Sequence, residues 1–323
     1  MHTAENLNLK VPDLNTLRRG GKLSLSRALS LLEQSPEKSL SLLNDCYHAP
    51  CAHVVGVTGP PGVGKSTLLS ELIKVYRAGG RTVGVIAVDP SSKRSGGAFL
   101  GDRVRFSTDP EDQGVFVRSM AARERLGGLA DLTIAAMVLM RAVFDIVLIE
   151  TVGVGQSETD VSGVADTVVF CVQPGSGDSL QFMKAGIAEI PHIALVTKAD
   201  MGKTAERAKA DLRGALSLAS DGPNEWAVKI LTLSASDKTG FDEFTKAIDL
   251  HYDWLNGQGR LSAQRKDQAR QWLKEAIREL YGKQGLSFLE QEGFSLDLVD
   301  GVSPFELLSR IQKELVISKH LAC

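Results

Sequence analysis

Three textures of apolar and polar positions follow one another along the chain. From Asp13 to Cys46 the residues Leu14, Leu17, Leu25, Leu29, Leu32, Leu40 and Leu43 recur mostly at three- and four-residue steps, which predicts helices interrupted near Gly20 and Pro36. Short β-branched runs then alternate with helical patterns: His53 to Thr58, Thr82 to Asp89, Phe144 to Glu150, Thr167 to Val172, His192 to Thr197 and Val228 to Leu233. Strands separated by helices imply βαβ units, and runs that are apolar throughout imply strands covered on both faces. After Phe241 strand signals stop. Helical patterns cover Phe241 to Leu255, then Arg260 to Tyr281 with Trp272, Leu273, Ile277 and Leu280, then shorter pieces to Cys323. The expected fold is α/β, with a mainly parallel, helix-covered sheet in residues 51–256. Helical extensions flank it at residues 1–50 and 257–323.

Composition narrows the function. The 323 residues are 43% apolar and 24% charged, with a formal net charge of -2, so nothing draws the chain as a whole to nucleic acid or anionic lipid. Residues Met1 to Gly20 include Glu5 and Asp13 and lack the apolar run of a signal peptide, and every hydrophobic stretch is interrupted well short of a membrane span. A cytoplasmic protein is expected, with no nucleic-acid or membrane partner. Four cysteines suit a reducing compartment as thiols. Cys46, His48, Cys51 and His53 alternate closely before the first strand, but their spacing matches no standard zinc pattern, and a strand at His53 would turn neighbours to opposite faces.

The strongest chemical signal is Gly59-Pro60-Pro61-Gly62-Val63-Gly64-Lys65-Ser66-Thr67, which fits G-x-x-x-x-G-K-[ST] between a strand and a helix. Glycines let successive backbone N–H groups turn toward phosphates, and the following helix contributes its positive end. Lys65 would contact the β and γ phosphates and Ser66 would ligate Mg2+. The cation also needs carboxylates at neighbouring strand ends. Asp89 and Glu150 end such strands, and Asp102 lies in a Gly- and Ser-rich loop that could reach the metal from the other side. Gly153 could present its N–H to the γ-phosphate.

Thr197-Lys198-Ala199-Asp200 ends a further strand and resembles the N-K-x-D guanine signature of GTPases. The Asp200 carboxylate would accept from guanine N1–H and the exocyclic amine, the Lys198 stem would lie along the ring, and Ser234-Ala235 would close over the base. Adenine would leave a buried carboxylate unsatisfied, at a cost of about 1–3 kcal/mol. Thr197 replaces the usual Asn, whose side chain ties this loop to the phosphate loop, so weaker nucleotide binding is the expectation.

The runs Asp89-Pro90-Ser91-Ser92, Gly96-Gly97 through Leu100-Gly101-Asp102-Arg103, Glu150 through Glu158, and Pro174-Gly175-Ser176-Gly177-Asp178 together resemble the methylmalonyl-CoA mutase-associated GTPases of the MeaB/ArgK/MMAA type. The resemblance spans roughly Leu23 to Leu280, and Glu150 to Gly153 reproduces that branch's Glu-initiated E-x-x-G. It implies a P-loop GTPase (G) domain at residues 51–256, a homodimer formed through a C-terminal arm, and a client adenosylcobalamin-dependent acyl-CoA mutase whose cofactor loading and protection are gated. By motif position Asp89, Asp102 and Glu150 would surround Mg2+ and the γ-phosphate. Gln156 to Asp160 and Gly175 to Lys184 would be switches, the latter touching the partner.

GTP hydrolysis requires positioning and charge neutralisation rather than a covalent nucleophile. Lys65, Asp102 and Glu150 are the candidate catalytic residues, with Glu150 or Asp102 orienting water. Arg103, Arg105 and Lys184 are candidates for transition-state charge, and with no arginine at a diagnostic spacing a slow intrinsic rate stimulated by a partner is expected. Three readings stand beside this one: a nickel or zinc metallochaperone GTPase, a small-molecule kinase, and a nucleotide-gated binding module with negligible catalysis.

Overall fold

Valine- and isoleucine-rich runs with no polar alternation have two apolar faces to bury, and the fold gives them a helix layer on each side. The computed structural model describes residues 11–89, 106, 108–121, 131–151, 160–175, 191–216 and 225–321. Among these residues seven strands pair in parallel throughout, in the order β3-β2-β4-β1-β5-β6-β7. They are β1 (His53–Thr58), β2 (Val83–Asp89), β3 (Val115–Ala121), β4 (Ile146–Glu150), β5 (Thr167–Val172), β6 (Ile193–Val196) and β7 (Lys229–Thr232). Six of these lie in the runs picked out from sequence: β1 and β5 coincide with them, and the other four are shorter by one or two residues. β3 was not anticipated. It is an edge strand whose Arg118 and Ser119 break the apolar pattern, and it is identified only by its register against β2, from Val83↔Val115 to Asp89↔Ala121.

Helices α1 (Leu14–Arg19), α2 (Gly21–Gln34) and α3 (Leu40–His48) occupy the N-terminal region, broken at Gly20 and around Pro36 as the pattern predicts. Asp13 caps α1 by accepting from the Thr16 N–H at 2.7 Å. Their leucines join α5 (Asp131–Arg141), α8 (Arg260–Gln291) and α9 (Pro304–Leu321) in one core laid over Val54, Ile86, Val147 and Val168. The terminal extensions therefore share a core with the sheet. α8 runs ten residues beyond Tyr281, across a kink at Gly282 where φ is 69°. The opposite face carries α4 (Lys65–Ala78) and α7 (Phe241–Asn256), packed on Val55, Val57, Val85 and Leu148. α6 (Lys203–Leu216) covers Phe170, Val172, Ala194 and Val196.

At the amino ends of the strands a polar group is sealed inside. Asp166, 0% exposed, takes two hydrogen bonds from Arg265 at 2.8 and 2.6 Å and one from the Val54 N–H at 2.8 Å. Beside it Thr167 Oγ1 bridges His53 Nε2 and His251 Nδ1, each at 2.7 Å. His192 Nδ1 accepts from the Val168 N–H at 2.9 Å, which fixes a neutral imidazole, and its ring stacks on His251 at 4.1 Å. Burial pushes His53 and His192 down to about 4, and His251 lower still. Asp166 opposes this at His53 and His192, and Arg265 reinforces it at His53.

Two outcomes follow from this end of the sheet. Asp166→Ala strips the partly buried Arg265 guanidinium of its counter-ion and leaves the Val54 N–H unpaired, and should cost about 2–4 kcal/mol in urea unfolding. These histidines titrate near 6.5 when unfolded and near 4 when folded, so the stability they confer is complete above about pH 6.5 and is lost as pH falls toward 4. Each contributes a slope of up to about 1.4 kcal/mol per pH unit within that window. Asp160, pushed up to about 7 by burial and then by Glu275, opposes them with one group. The urea midpoint should therefore fall between pH 7 and pH 5.

Candidate nucleotide site

Parallel pairing delivers every strand's carboxyl end to one edge, and the loops there carry the chemistry. The loop between β1 and α4 turns through Gly59 (φ 137°), Gly62 (φ 78°) and Gly64 (φ 93°), all in the left-handed range that side chains resist. At Gly59 a Cβ would also collide with the Cys171 carbonyl of neighbouring β5, so two constraints require glycine. α4 begins at Lys65 with Gly64 as its cap and no side chain capping it, leaving first-turn N–H groups directed into the loop. Pro60, Pro61 and Val63 complete the loop, and Thr67 lies in the first turn of α4.

Lys65 is 7% exposed, and its ammonium donates to the Gly59 carbonyl at 2.7 Å and the Pro60 carbonyl at 3.1 Å. Ser66 Oγ donates to Glu150 Oε1 at 2.8 Å. That contact joins residues 84 positions apart, and the sheet explains it: β4 pairs beside β1 with Glu150 opposite Val57, two residues before the loop turns at Gly59. Glu150 is 6% exposed, so a carboxylate and a hydroxyl meet in a sheltered place at a helix N-terminus. Hard oxygen donors of this kind fit Mg2+. Thr151, just after Glu150, donates to Thr58 Oγ1 at 2.9 Å and fastens β4 to the root of the loop.

Asp89 ends β2, beside β4, so its backbone reaches the same edge. Asp102, Arg103, Arg105, Gly153, Gln156 to Thr159 and Ser176 to Lys184 lie outside the described residues. Of the two expected switches only the ends are described: Asp160, half-buried, and Gly175 (φ 79°).

On the base side, the hydroxyl of Thr197, which stands where Asn is usual, lies 2.7 Å from the Val63 carbonyl and 3.0 Å from the Val172 carbonyl. The tie is present, made by one shared hydroxyl proton at a residue 4% exposed. Lys198 adopts the left-handed conformation (φ 55°) and donates to the Gly62 carbonyl at 3.1 Å and to Gln173 Oε1 at 2.6 Å. Asp200 is exposed; Ser234 Oγ donates to its Oδ1 at 2.7 Å, which holds the carboxyl below its usual range. Ser234 is itself 0% exposed and accepts from the Asp237 N–H at 3.2 Å. Ala235 follows, partly buried against the helix-covered core. Sequence reading missed Gln173 and Asp237, since a lone Gln after a strand and an Asp in a turn carry no pattern.

Cys46, His48, Cys51 and His53 do not converge. Cys46 is buried in α3 with its thiol pushed up to about 12 by burial, His48 is exposed, Cys51 lies 3.2 Å from the Ala142 carbonyl, and His53 is committed to Thr167. Among the described residues no group of three or more His, Cys, Asp or Glu could hold a metal ion. Nor, among them, is any helix long and apolar enough to cross a membrane.

Comparison with known proteins agrees with this geometry. The family model described as methylmalonyl Co-A mutase-associated GTPase MeaB matches residues 25–286. A putative GTPase of Pyrococcus abyssi is 37% identical over 312 residues, covering 94% of this chain and 96% of its own. GTPase ArgK of Escherichia coli is 35% identical over 274 residues, covering 82% and 83%. A crystal structure titled LAO/AO transport system kinase superposes with a TM-score of 0.66 at 26% identity, covering 94% of this chain and 96% of that one.

If the Thr197 hydroxyl is what couples the two loops, Thr197→Val should weaken GDP binding by about 1 kcal/mol, roughly fivefold, in isothermal titration calorimetry. Thr197→Asn should restore affinity to within about threefold.

Proposed function

The chain belongs to the methylmalonyl-CoA mutase-associated GTPase family MeaB and is a GTPase, and from that premise we propose that it serves as a GTP-driven chaperone of an adenosylcobalamin-dependent acyl-CoA mutase. The client is of the methylmalonyl-CoA mutase type, and GTP turnover gates loading and protection of its cofactor. The single observation that carries the nucleotide chemistry is the meeting of Ser66 and Glu150 beside the sheltered Lys65, at the uncapped start of α4.

In this reading Gly59 to Thr67 cradle the phosphates, with Lys65 on the β and γ groups. Ser66, Glu150, Asp89 and Asp102 hold Mg2+, which supplies charge neutralisation at the phosphates when bound. Glu150 or Asp102 orients the attacking water, and Gly153 meets the γ-phosphate. Asp200, held in place by Ser234, reads the guanine edge, while Lys198, anchored on Gly62 and Gln173, lines the ring and Ala235 closes over it. A slow intrinsic rate stimulated by the mutase suits a regulator, and a cytoplasmic homodimer is the working form.

The metallochaperone reading gains nothing from Cys46, His48, Cys51 and His53, which point to separate environments. A kinase reading would prefer ATP, against the carboxylate at Asp200.

Phosphate release from GTP and ATP, with and without a cobalamin mutase, tests the proposal. GTP should be preferred at least about tenfold, the mutase should raise the GTP rate, and Asp200→Ala should remove most of that preference for guanine. A rate indifferent to every such mutase, or equal rates with ATP, would overturn it. Ser66→Ala should raise the Mg2+ concentration needed for half-maximal hydrolysis about tenfold, with a modest fall in the urea midpoint because the sheltered Glu150 carboxylate loses a donor.

A further inference from the structure

Arg141, the last residue of α5, is 5% exposed, and its Nε has no hydrogen-bond partner. Its guanidinium lies over the Tyr47 ring at 5.8 Å, and it forms no ion pair among the described residues. Asp166, whose charge acts on it, is spent on Arg265 and the Val54 N–H. Burial and Arg265 bring Arg141 down to about 10, so it is still a cation at neutral pH. An arginine this sheltered with no counter-charge is rare, because desolvation is repaid only by a partner.

Arg141 borders a cleft of about 340 Å³ at the amino ends of the strands, the pole opposite the nucleotide loops. Arg265, Lys266 and His48 add polar walls, while Leu261, Leu298 and Val302 supply apolar ones. Lys266 is exposed and lies 3.8 Å from the exposed Asp300. The walls carry three positive charges, on Arg141, Arg265 and Lys266, and one negative charge, on Asp300, while Asp166 behind them is bonded to Arg265. The volume is that of a small-molecule site. A forked guanidinium beside apolar surface matches one ligand chemistry, an oxyanion on a small organic body.

We propose that this cleft binds a small carboxylate- or phosphate-bearing metabolite, whose oxyanion pairs with Arg141 and is screened at the rim by Lys266. The site is separate from GTP and does not depend on the mutase reading.

The test uses the full chain saturated with a non-hydrolysable GTP analogue and Mg2+, so that the β- and γ-phosphate positions of the loop are both filled. Inorganic phosphate and succinate are titrated separately by calorimetry, with melting temperature followed in parallel, and the tighter of the two identifies the oxyanion class. At least one should bind saturably. Arg141→Met should weaken that binding by about tenfold or more, leave GTP hydrolysis unchanged, and keep or raise the melting temperature in anion-free buffer, since an uncompensated charge is removed. Lys266→Ala, a surface change that cannot compromise the core, should weaken it about threefold. Absence of saturable binding by both anions, equal affinity in wild type and Lys266→Ala, or a melting temperature several degrees lower in anion-free Arg141→Met would overturn the inference.

Discussion

Parallel pairing of β1 between β4 and β5 is the constraint on which the nucleotide site depends. It sets Glu150 opposite Val57 and Phe170 opposite Thr58, so whatever follows these strands emerges side by side at one edge. Ser66 and Glu150, remote in sequence, are at hydrogen-bond distance because two strands share a register. Gly59 must be glycine because β5 passes so closely that the Cys171 carbonyl takes the space of a Cβ. The chemistry is thus a consequence of strand order, and strand order of burying apolar runs on both faces.

The edge is also stitched across its loops. Thr197 reaches Val63 and Val172, Lys198 reaches Gly62 and Gln173, and Ala199 N–H donates to the Leu233 carbonyl at 3.0 Å. The phosphate-side and base-side loops are therefore mechanically one unit, so that a change in one is felt in the other. Of the segments expected as switches, Gln156 to Asp160 begins five residues after Thr151 in the chain and Gly175 to Lys184 begins two residues after Gln173.

The opposite pole is organised by desolvation. His53, Asp166 and His251 are buried, with His192 and Arg265 half-buried beside them; Asp166 is met by Arg265 and the Val54 N–H, His53 and His251 each bond Thr167 through one ring nitrogen, and Arg141 stands apart as the cation without a counter-ion among the described residues. The terminal helices α3, α8 and α9 close over this pole, so the extensions are part of the core and not appended surface. One end of the sheet thereby meets the nucleotide while the other is shaped by segments that lie outside the phosphate-loop motif.

Local patterns by themselves determined most of the architecture and the centre of the site. Six apolar runs gave six strands, Gly20 and Pro36 broke helices where expected, and Gly59 to Thr67 and Thr197 to Asp200 fell at strand ends. These succeed because periodicity, glycine conformation and motif spacing are properties of neighbouring residues. Tertiary structure decided what depends on distant partners: β3, whose polar residues hide an edge strand; the Thr197 tie, since a hydroxyl substitutes for an amide only when a carbonyl lies where it can reach; the separation of Cys46, His48, Cys51 and His53; and the isolation of Arg141. Whether a buried group is paired is a fact about three-dimensional proximity, and no spacing along one chain encodes it.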